Sequence, residues 1–546
     1  MSADWLRDAV IYEIYPQSFA DGNGDGVGDL RGVIDHLDHL SWLGVNTIWF
    51  NPCFASPFKD AGYDVSDYLT IAPRYGTNQD MVELVDEARR RGIRVLLDLV
   101  AGHTSIEHAW FQAELASHGP SPEGDRYVWS LAPPPRDTSG DVPGTAAWVR
   151  SPGPRPGWYL KNFYDQQPAL NFGWGRLDPP EPWRDPVDAP GPRRNRRALR
   201  DIMAFWLDRG VAGFRVDMAF SLVKDDPGHR EALALWRELH SSLAADYPEA
   251  ILVPEGIEPR ESGPLAFDAD FLLVIFEQHA SLFDNGGAGH VPFHEPGVPF
   301  FDGEGRGSFD LFLRAWQDLT ADPPGRPLIL ASADHDLNRL VHGPRTAAEA
   351  RPAFAFLLTW GTVPSIYYGD EIGMRYLPGM PDVEGAICNP AYNRAGCRTP
   401  MQWDDTLNAG FSTAAPGALY LPIDPDPHRP TVQAQRADRD SLLHLVRELV
   451  ELRAAEPPLG ARAPTMVLHA GYPLVYLRGS THLVAINPTT REQSVEVPHV
   501  RGASLLLGEA VGSLPVGRED ATAGVGADVV TLGPCGFGIW RLPPGR

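Results

Sequence analysis

Cysteine, long apolar runs and basic charge are all scarce in this chain of 546 residues, and each scarcity excludes something. The four cysteines, Cys53, Cys388, Cys397 and Cys535, lack the paired spacing of a zinc site and are too few for a disulfide scaffold. No apolar run reaches the ~18 residues of a membrane-spanning helix. The nearest, 352–368, is interrupted by Thr359, Gly361, Thr362, Pro364 and Ser365. The N-terminus, MSADWLRDAVIYEIYP, has neither the basic start nor the apolar stretch of a secretory signal. Lys and Arg number 47 against 71 Asp and Glu, a net charge of −24. A surface of that sign repels phosphate backbones and anionic lipid, so nucleic acid and membranes are not expected partners. A neutral small molecule such as a sugar is compatible with it. A reduced, cytoplasmic protein fits best, and the sequence sets no oligomeric state.

Core material, by contrast, is ample. Hydrophobic residues make up 43% of the chain, and 54 Gly and 53 Pro suggest many loops on a regular scaffold. Apolar, β-rich runs at 10–15, 46–50, 93–99, 213–217, 251–255, 271–276, 328–333 and 363–368 alternate with amphipathic stretches. Leu30, Val33, Ile34, Leu37 and Leu40 share one helical face, as do Met81, Val82, Leu84, Val85 and Ala88. Eight parallel strands with intervening helices predict an α/β fold, a closed (β/α)₈ TIM barrel spanning 1–103 and 176–460. The aromatic-, Pro- and Gly-rich stretch 104–175 reads as an irregular domain inserted after the third strand. Beyond an amphipathic stretch at 441–453, short alternating runs at 474–478, 482–487, 494–497, 529–532 and 537–542 predict a C-terminal antiparallel β-sandwich over 461–546.

A barrel of this type carries its active site at the C-terminal ends of its strands. The third strand there reads Asp98-Leu-Val-Ala-Gly-His103, and the fourth Gly213-Phe-Arg215-Val-Asp217. The fifth ends in Glu255, and the seventh leads into Asp334-His335-Asp336. Arg215 and Asp217, two apart on a strand, project to the same side. Carboxylates at 217, 255 and 336 converging on one mouth suit glycosidic bond cleavage, which needs one nucleophile or base and one acid. Arg215 is expected to keep Asp217 ionised. Glu255 follows an aliphatic run with no adjacent cation, so partial burial is expected to keep it protonated. The sequence also predicts that the two carboxyls of the pair face each other across ~5–5.5 Å, the separation of a retaining mechanism.

With these motifs in place the chain resembles the α-amylase superfamily of glycoside hydrolases, from about residue 9 to 403. The resemblance rests on GVNTIWFNPCFASPFKDAGYDVSDY at 44–68, the motifs ending at His103 and Asp217, Glu255, His335-Asp336, and GTVPSIYYGDEIGM at 361–374. It implies Asp217 as nucleophile, Glu255 as acid/base and Asp336 as transition-state stabiliser in a retaining double displacement. Tyr63 would stack on the sugar, and Asp98, His103, Arg215 and His335 would contact it. QPALN at 167–171, RTPMQW at 398–403 and NAGF at 408–411 are most similar to the oligo-1,6-glucosidase, α-glucosidase and trehalose synthase group. That group implies an exo-acting α-glucosidase on short α-linked oligosaccharides or glucosides. A transglycosylase or isomerase on the same scaffold, such as a trehalose synthase or sucrose isomerase, is the alternative. The group often closes its pocket with an Asp–Arg salt bridge. Asp60 matches the acid and Arg398 is the expected base, with Arg394 as competitor.

Three positions depart from the family pattern: Gly102 and Asp334 each stand where an asparagine is usual, and Ala169 replaces an acidic residue. Gly102 has no side chain for the calcium that many amylases hold between barrel and inserted domain, so that site is expected to be missing. Met218, after the proposed nucleophile, matches neither the valine associated with α-1,6 linkages nor the smaller or polar residues associated with α-1,4. A separate metal signal is Asp21-Gly-Asn23-Gly-Asp25-Gly-Val27-Gly-Asp29, the first half of an EF-hand-like loop with Gly26 at its sixth place. The twelfth position is Gly32, which excludes a full EF-hand. The resemblance implies a structural Ca²⁺, with Mg²⁺ the alternative, held by Asp21, Asn23, Asp25, Asp29 and the Val27 carbonyl.

Overall fold

The computed structural model describes residues 4–132, 147–256, 266–273, 275–290, 297–320, 325–389, 392–497, 502–512 and 528–543. Eight parallel strands form the central sheet: β1 (Ile11–Ile14), β2 (Thr47–Phe50), β3 (Arg94–Val100), β4 (Gly213–Asp217), β5 (Ile251–Pro254), β6 (Asp270–Leu272), β7 (Leu328–Ala331) and β8 (Val363–Tyr367). Each coincides with a run predicted to be a strand, although Val274, within the sixth predicted run, lies outside the described residues. Helices α1 (Leu30–Leu43), α2 (Asn78–Arg90), α3 (Pro190–Leu207), α4 (Arg230–Ala244), α5 (Glu277–Phe283), α6 (Asp310–Thr320), α7 (Ala347–Thr359) and α8 (Leu442–Ala455) punctuate the strands.

The strands are buried on both faces, which is why they read as continuous apolar runs. Period two still sorts their side chains. Tyr12, Ile48, Leu97, Phe214, Val216, Leu252 and Ile366 join the helices in the large outer core. Ile11, Trp49, Leu96, Ile251, Val253, Phe271, Ile329 and Val363 fill the inside of the barrel. Above that apolar floor, the next inward positions toward the strands' C-terminal ends are Glu13, Asp98, Arg215 and Asp217. The register makes Asp98 the direct neighbour of Arg215. Gly213, at the foot of β4, has no room for a side chain, since a Cβ there would lie 2.3 Å from Ile251 O.

The sheet order β5-β4-β3-β2-β1-β8-β7-β6 leaves a seam between β5 and β6. Asp268 bridges it. Its N–H donates to Leu252 O (2.9 Å), and its Oδ2 accepts from Leu252 N (2.9 Å) and pairs with His240 Nε2 of α4 (3.0 Å).

Within the segment inserted after β3, Trp129–Ser130, Trp148–Arg150 and Trp158–Leu160 form a three-stranded antiparallel sheet. Val128, Ala147, Leu160, Ala169 and Trp174 pack on it as a small core of their own. Residues 133–146 of the predicted inserted domain lie outside the described residues, as do 498–501, 513–527 and 544–546 of the predicted C-terminal domain. That domain is an antiparallel sheet of β9 (Thr465–Ala470), β10 (Leu474–Arg478), β11 (His482–Ile486), β12 (Gln493–Val497), β13 (Ser504–Val511) and β14 (Asp528–Arg541). β14 pairs with β12 through its first half and with β11 through its second. Val475, Leu483, Ala485, Val497, Val530, Leu532 and Trp540 cluster as a core of that sheet, whose strands form one continuous sheet where a sandwich was expected.

Candidate active site

Arg215 is the hub of the barrel mouth. One guanidinium nitrogen lies 2.9 and 3.0 Å from the two oxygens of Asp98 and 3.2 Å from Asp217 Oδ1. The other lies 3.3 Å from Glu255 Oε1. The two carboxylates of the expected catalytic pair thus share one cation, and Glu255 also accepts the Met218 N–H at 2.6 Å. This corrects the expectation that Glu255 has no adjacent cation: the residue is remote from Arg215 along the chain, but β4 and β5 are neighbours. Arg215 does not act on Asp217 alone. Burial, then the neighbouring Glu255, pushes its carboxyl well above the usual range, with Arg215 pulling the other way.

Asp336 is governed differently. Burial opposes its ionisation, but His335 and the guanidinium groups of Arg394, Arg398 and Arg215 hold it well below the ordinary carboxylate range. His335 is itself driven down to about 3, mainly by burial, so at neutral pH the arginines carry that effect. Arg394 and Arg398 approach Asp336 Oδ1 at 2.9 and 3.1 Å. Arg394 also reaches Asp60 Oδ1 at 3.0 Å, and Gln167 of the insert donates to Asp60 Oδ2 at 2.8 Å. The expected partner of Asp60, Arg398, instead donates to the His335 carbonyl at 2.7 Å and stacks over Tyr15. Arg394 therefore makes the Asp60 salt bridge. The tight turn Arg394–Gly396 aims the two arginines at different partners, which their spacing alone does not reveal.

Tyr63 lies parallel to His335, with ring centroids 5.6 Å apart, and its hydroxyl donates to Asp98 Oδ2 (3.1 Å). That hydroxyl must then accept from His335 Nε2 at 2.7 Å, leaving Nδ1 as an acceptor facing Glu13 Oε1 at 2.7 Å. The chain of donors closes when Glu13 carries a proton, and burial, followed by Asp334, raises its carboxyl well above the usual range. Glu13 and its neighbour Asn51, which donates to it at 3.2 Å, were not predicted as site residues. The signal was present: a glutamate two residues from Ile11 on the inward face of an otherwise apolar strand.

His103 has both ring nitrogens engaged by protein, Nε2 at 3.1 Å from the Tyr63 carbonyl and Nδ1 at 3.1 Å from Asn162. Asp334 is buried. Its Oδ1 accepts the N–H groups of Asp336 and Leu337, both at 3.0 Å. Burial, then Asp336, pushes its carboxyl up to about 7.

The predicted metal loop lies apart from these residues. Asp21 accepts from the N–H groups of Gly24 and Gly26, both at 2.7 Å, and Ser412 Oγ donates to it at 2.6 Å. Asn23 and Asp25 each accept a backbone N–H two residues on, at 2.9 Å. Asp29 caps α1 by accepting from Gly32 N at 2.7 Å. The donor set is all oxygen, the type that suits Ca²⁺. Among the described residues, however, no group of three or more His, Cys, Asp or Glu side chains is arranged to hold an ion.

Comparison with known proteins follows this geometry. Residues 13–262 and 314–461 match the model of the α-amylase catalytic domain. The trehalose synthase/amylase TreS of Mycolicibacterium smegmatis is 32% identical over 83% of this chain and 76% of its own length. The glucan 1,6-alpha-glucosidase of Streptococcus pneumoniae is 31% identical over 91% of this chain and 94% of its own. Among solved structures, the trehalulose synthase MutB of Pseudomonas mesoacidophila MX-45 superposes with a TM-score of 0.78 at 26% identity, covering 99% of this chain and 100% of that one. A MutB variant has been solved in complex with glucose.

Proposed function

The chain belongs to the α-amylase family of glycoside hydrolases, and on that premise we propose that it is a retaining, exo-acting α-glucosidase on short α-linked gluco-oligosaccharides or glucosides. The observation that carries this is the pairing of Asp217 and Glu255 on Arg215, with Asp336 held beside them by Arg394 and Arg398. Asp217 attacks the anomeric carbon while Glu255 gives its proton to the departing glycosidic oxygen. Glu255 then takes a proton from water, whose oxygen displaces Asp217 and restores the original configuration. Both steps need one proton between the two carboxyls, and Arg215 lies within 3.2 Å of Asp217 and 3.3 Å of Glu255. Asp336, kept anionic, faces the positive charge that develops on the sugar ring. The Asp60–Arg394 ion pair would close the far end of the pocket, which would suit a short substrate entering end-on.

The second reading, transfer or isomerisation, is favoured by the relatives named for trehalose and trehalulose synthesis. It shares the covalent intermediate and differs in whether water or a sugar hydroxyl intercepts it. Chromatography of all products from maltose, isomaltose, sucrose and trehalose decides between the readings. Net glucose release is expected, and a disaccharide product without it would select the second. In either case Asp217→Asn should lower kcat by at least about 10³-fold, and retained turnover would remove Asp217 from the nucleophile's role.

We also propose that the Asp21–Asp29 loop takes a structural Ca²⁺, with its side-chain oxygens and the Val27 carbonyl as ligands. Asp21 Oδ1, Asn23 Oδ1 and Asp25 Oδ1 each keep a second lone pair beyond their backbone hydrogen bond. The ion would stiffen the loop and supply nothing to catalysis. Chelation with EGTA should lower the melting temperature and addition of Ca²⁺ restore it. An unchanged melting temperature would show that the backbone hydrogen bonds hold the loop by themselves. A cytoplasmic location belongs to the same proposal, supported by the free thiols of Cys53, Cys397 and Cys535. No helix among the described residues is long and apolar enough to cross a membrane.

A further inference from the structure

Position 102 carries no side chain, and the space one would take is already filled. A Cβ built on Gly102 would lie 2.6 Å from Ser221 Oγ and 3.0 Å from Asn162 Nδ2. Asn162 comes from the inserted segment, where its N–H donates to Gln167 O at 2.9 Å. Ser221 comes from the loop after β4, the loop that presents the Met218 N–H to Glu255. The orientation of the Asn162 amide follows from its neighbours. Lys224 Nζ, which can only donate, lies 2.6 Å from Oδ1. Nδ2 therefore faces the other way, toward His103 Nδ1 at 3.1 Å, Ser221 Oγ at 3.0 Å and Met218 Sδ at 3.7 Å. An amide nitrogen donates and does not accept, so His103 Nδ1 is bare. The ring proton sits on Nε2 and is donated to the Tyr63 carbonyl. Asn162 is 3% exposed and His103 1%, so water cannot readily replace a missing partner.

We propose, on the basis of the glycosidase reading above, that Asn162 is a positioning residue. Through it the inserted domain supplies the side chain that position 102 lacks, holds His103 in a single tautomer and ties it to the loop that contacts Glu255. The residue at 102 and the residue at 162 then form one functional unit drawn from two segments of the chain.

Swapping the two sizes tests this. Asn162→Ala should fold, with a lowered melting temperature because Lys224 loses an acceptor, and lose about tenfold in kcat/KM, chiefly in kcat. Gly102→Asn alone forces a second amide into the filled space and should lose about a hundredfold or more. The double variant Gly102→Asn/Asn162→Ala should return to within about fivefold of wild type, because the new amide takes the vacated volume. Losses that simply multiply in the double variant, or wild-type kinetics in Asn162→Ala, would overturn the proposal.

A second arm needs no turnover and survives a folding defect in Gly102→Asn. Nitrogen-15 NMR of histidine-labelled wild-type enzyme should show His103 as the Nε2–H tautomer. Asn162→Asp, whose carboxylate can only accept, should move that proton to Nδ1 or charge the ring. A wild-type Nδ1–H tautomer would sink the proposal. If no glucoside were turned over by any form, the glycosidase reading would fail while the tautomer result still decided this one.

Discussion

Asp334 differs from an asparagine by a single group, yet it sits buried beside Asp336 with its carboxyl raised to about 7. In the unfolded chain it would titrate near the ordinary aspartate value of ~3.9. Between about pH 4 and 7 the unfolded chain has therefore released this proton while the folded chain keeps it. Stability falls as pH rises across that window and levels off above it. Asp334→Asn keeps the oxygen that accepts from Asp336 N and Leu337 N and removes the titration. The variant should gain on the order of 2 kcal/mol at pH 8 relative to its difference from wild type at pH 4. Urea unfolding at the two pH values measures this, and a pH-independent difference would show that Asp334 stays ionised. At this scale the sequence was most informative where the site residues lie on strands. Asp98, Arg215 and Asp217 meet because β3 and β4 are in register. It was least informative where contacts cross distant segments. The choice between Arg394 and Arg398, the hydrogen bond of Glu13 to His335 and the reach of Asn162 to His103 depend on loop geometry that no spacing encodes.

Among the elements, the eight barrel strands were legible because burial on both faces makes them nearly unbroken apolar runs. Three short strands of the insert, predicted as irregular, were missed, and so were β9 and β13 of the C-terminal sheet, which are mostly half-exposed or exposed and lack that signature. β14 was read as two strands because Gly533-Pro534-Cys535-Gly536 looks like a break. The strand instead bends through it, with Cys535 at φ 51°. The seam between β5 and β6 had no sequence signal, since one residue, Asp268, bridges it through its N–H and its buried carboxylate. Asp268→Ala leaves Leu252 N–H and His240 without that partner and should cost about 2–4 kcal/mol by urea unfolding. An unchanged midpoint would show that the strands hold together without it.

Across the whole molecule, the C-terminal sheet shares the barrel's core. Leu474, Tyr476, Val484, Ile486, Phe537 and Ile539 pack in the same cluster as Phe356 and Trp360. Tyr476 bonds Thr359 at 2.5 Å, and Arg351 of α7 pairs with Glu509 of β13. Deleting residues 461–546 would bare this apolar face. The truncated chain should accumulate as aggregate and bind a hydrophobic dye, whereas a soluble, dye-silent product would mark the barrel as independent.

Arg394 has one consequence at this scale. Its guanidinium touches both Asp60, proposed to close the pocket, and Asp336, proposed to face the reacting carbon. Chain-end fit and rate are thereby wired to the same plane of atoms. A sugar trimmed of the hydroxyls that press on the closed end should react more slowly even when saturating, so its penalty should appear in turnover as well as in affinity.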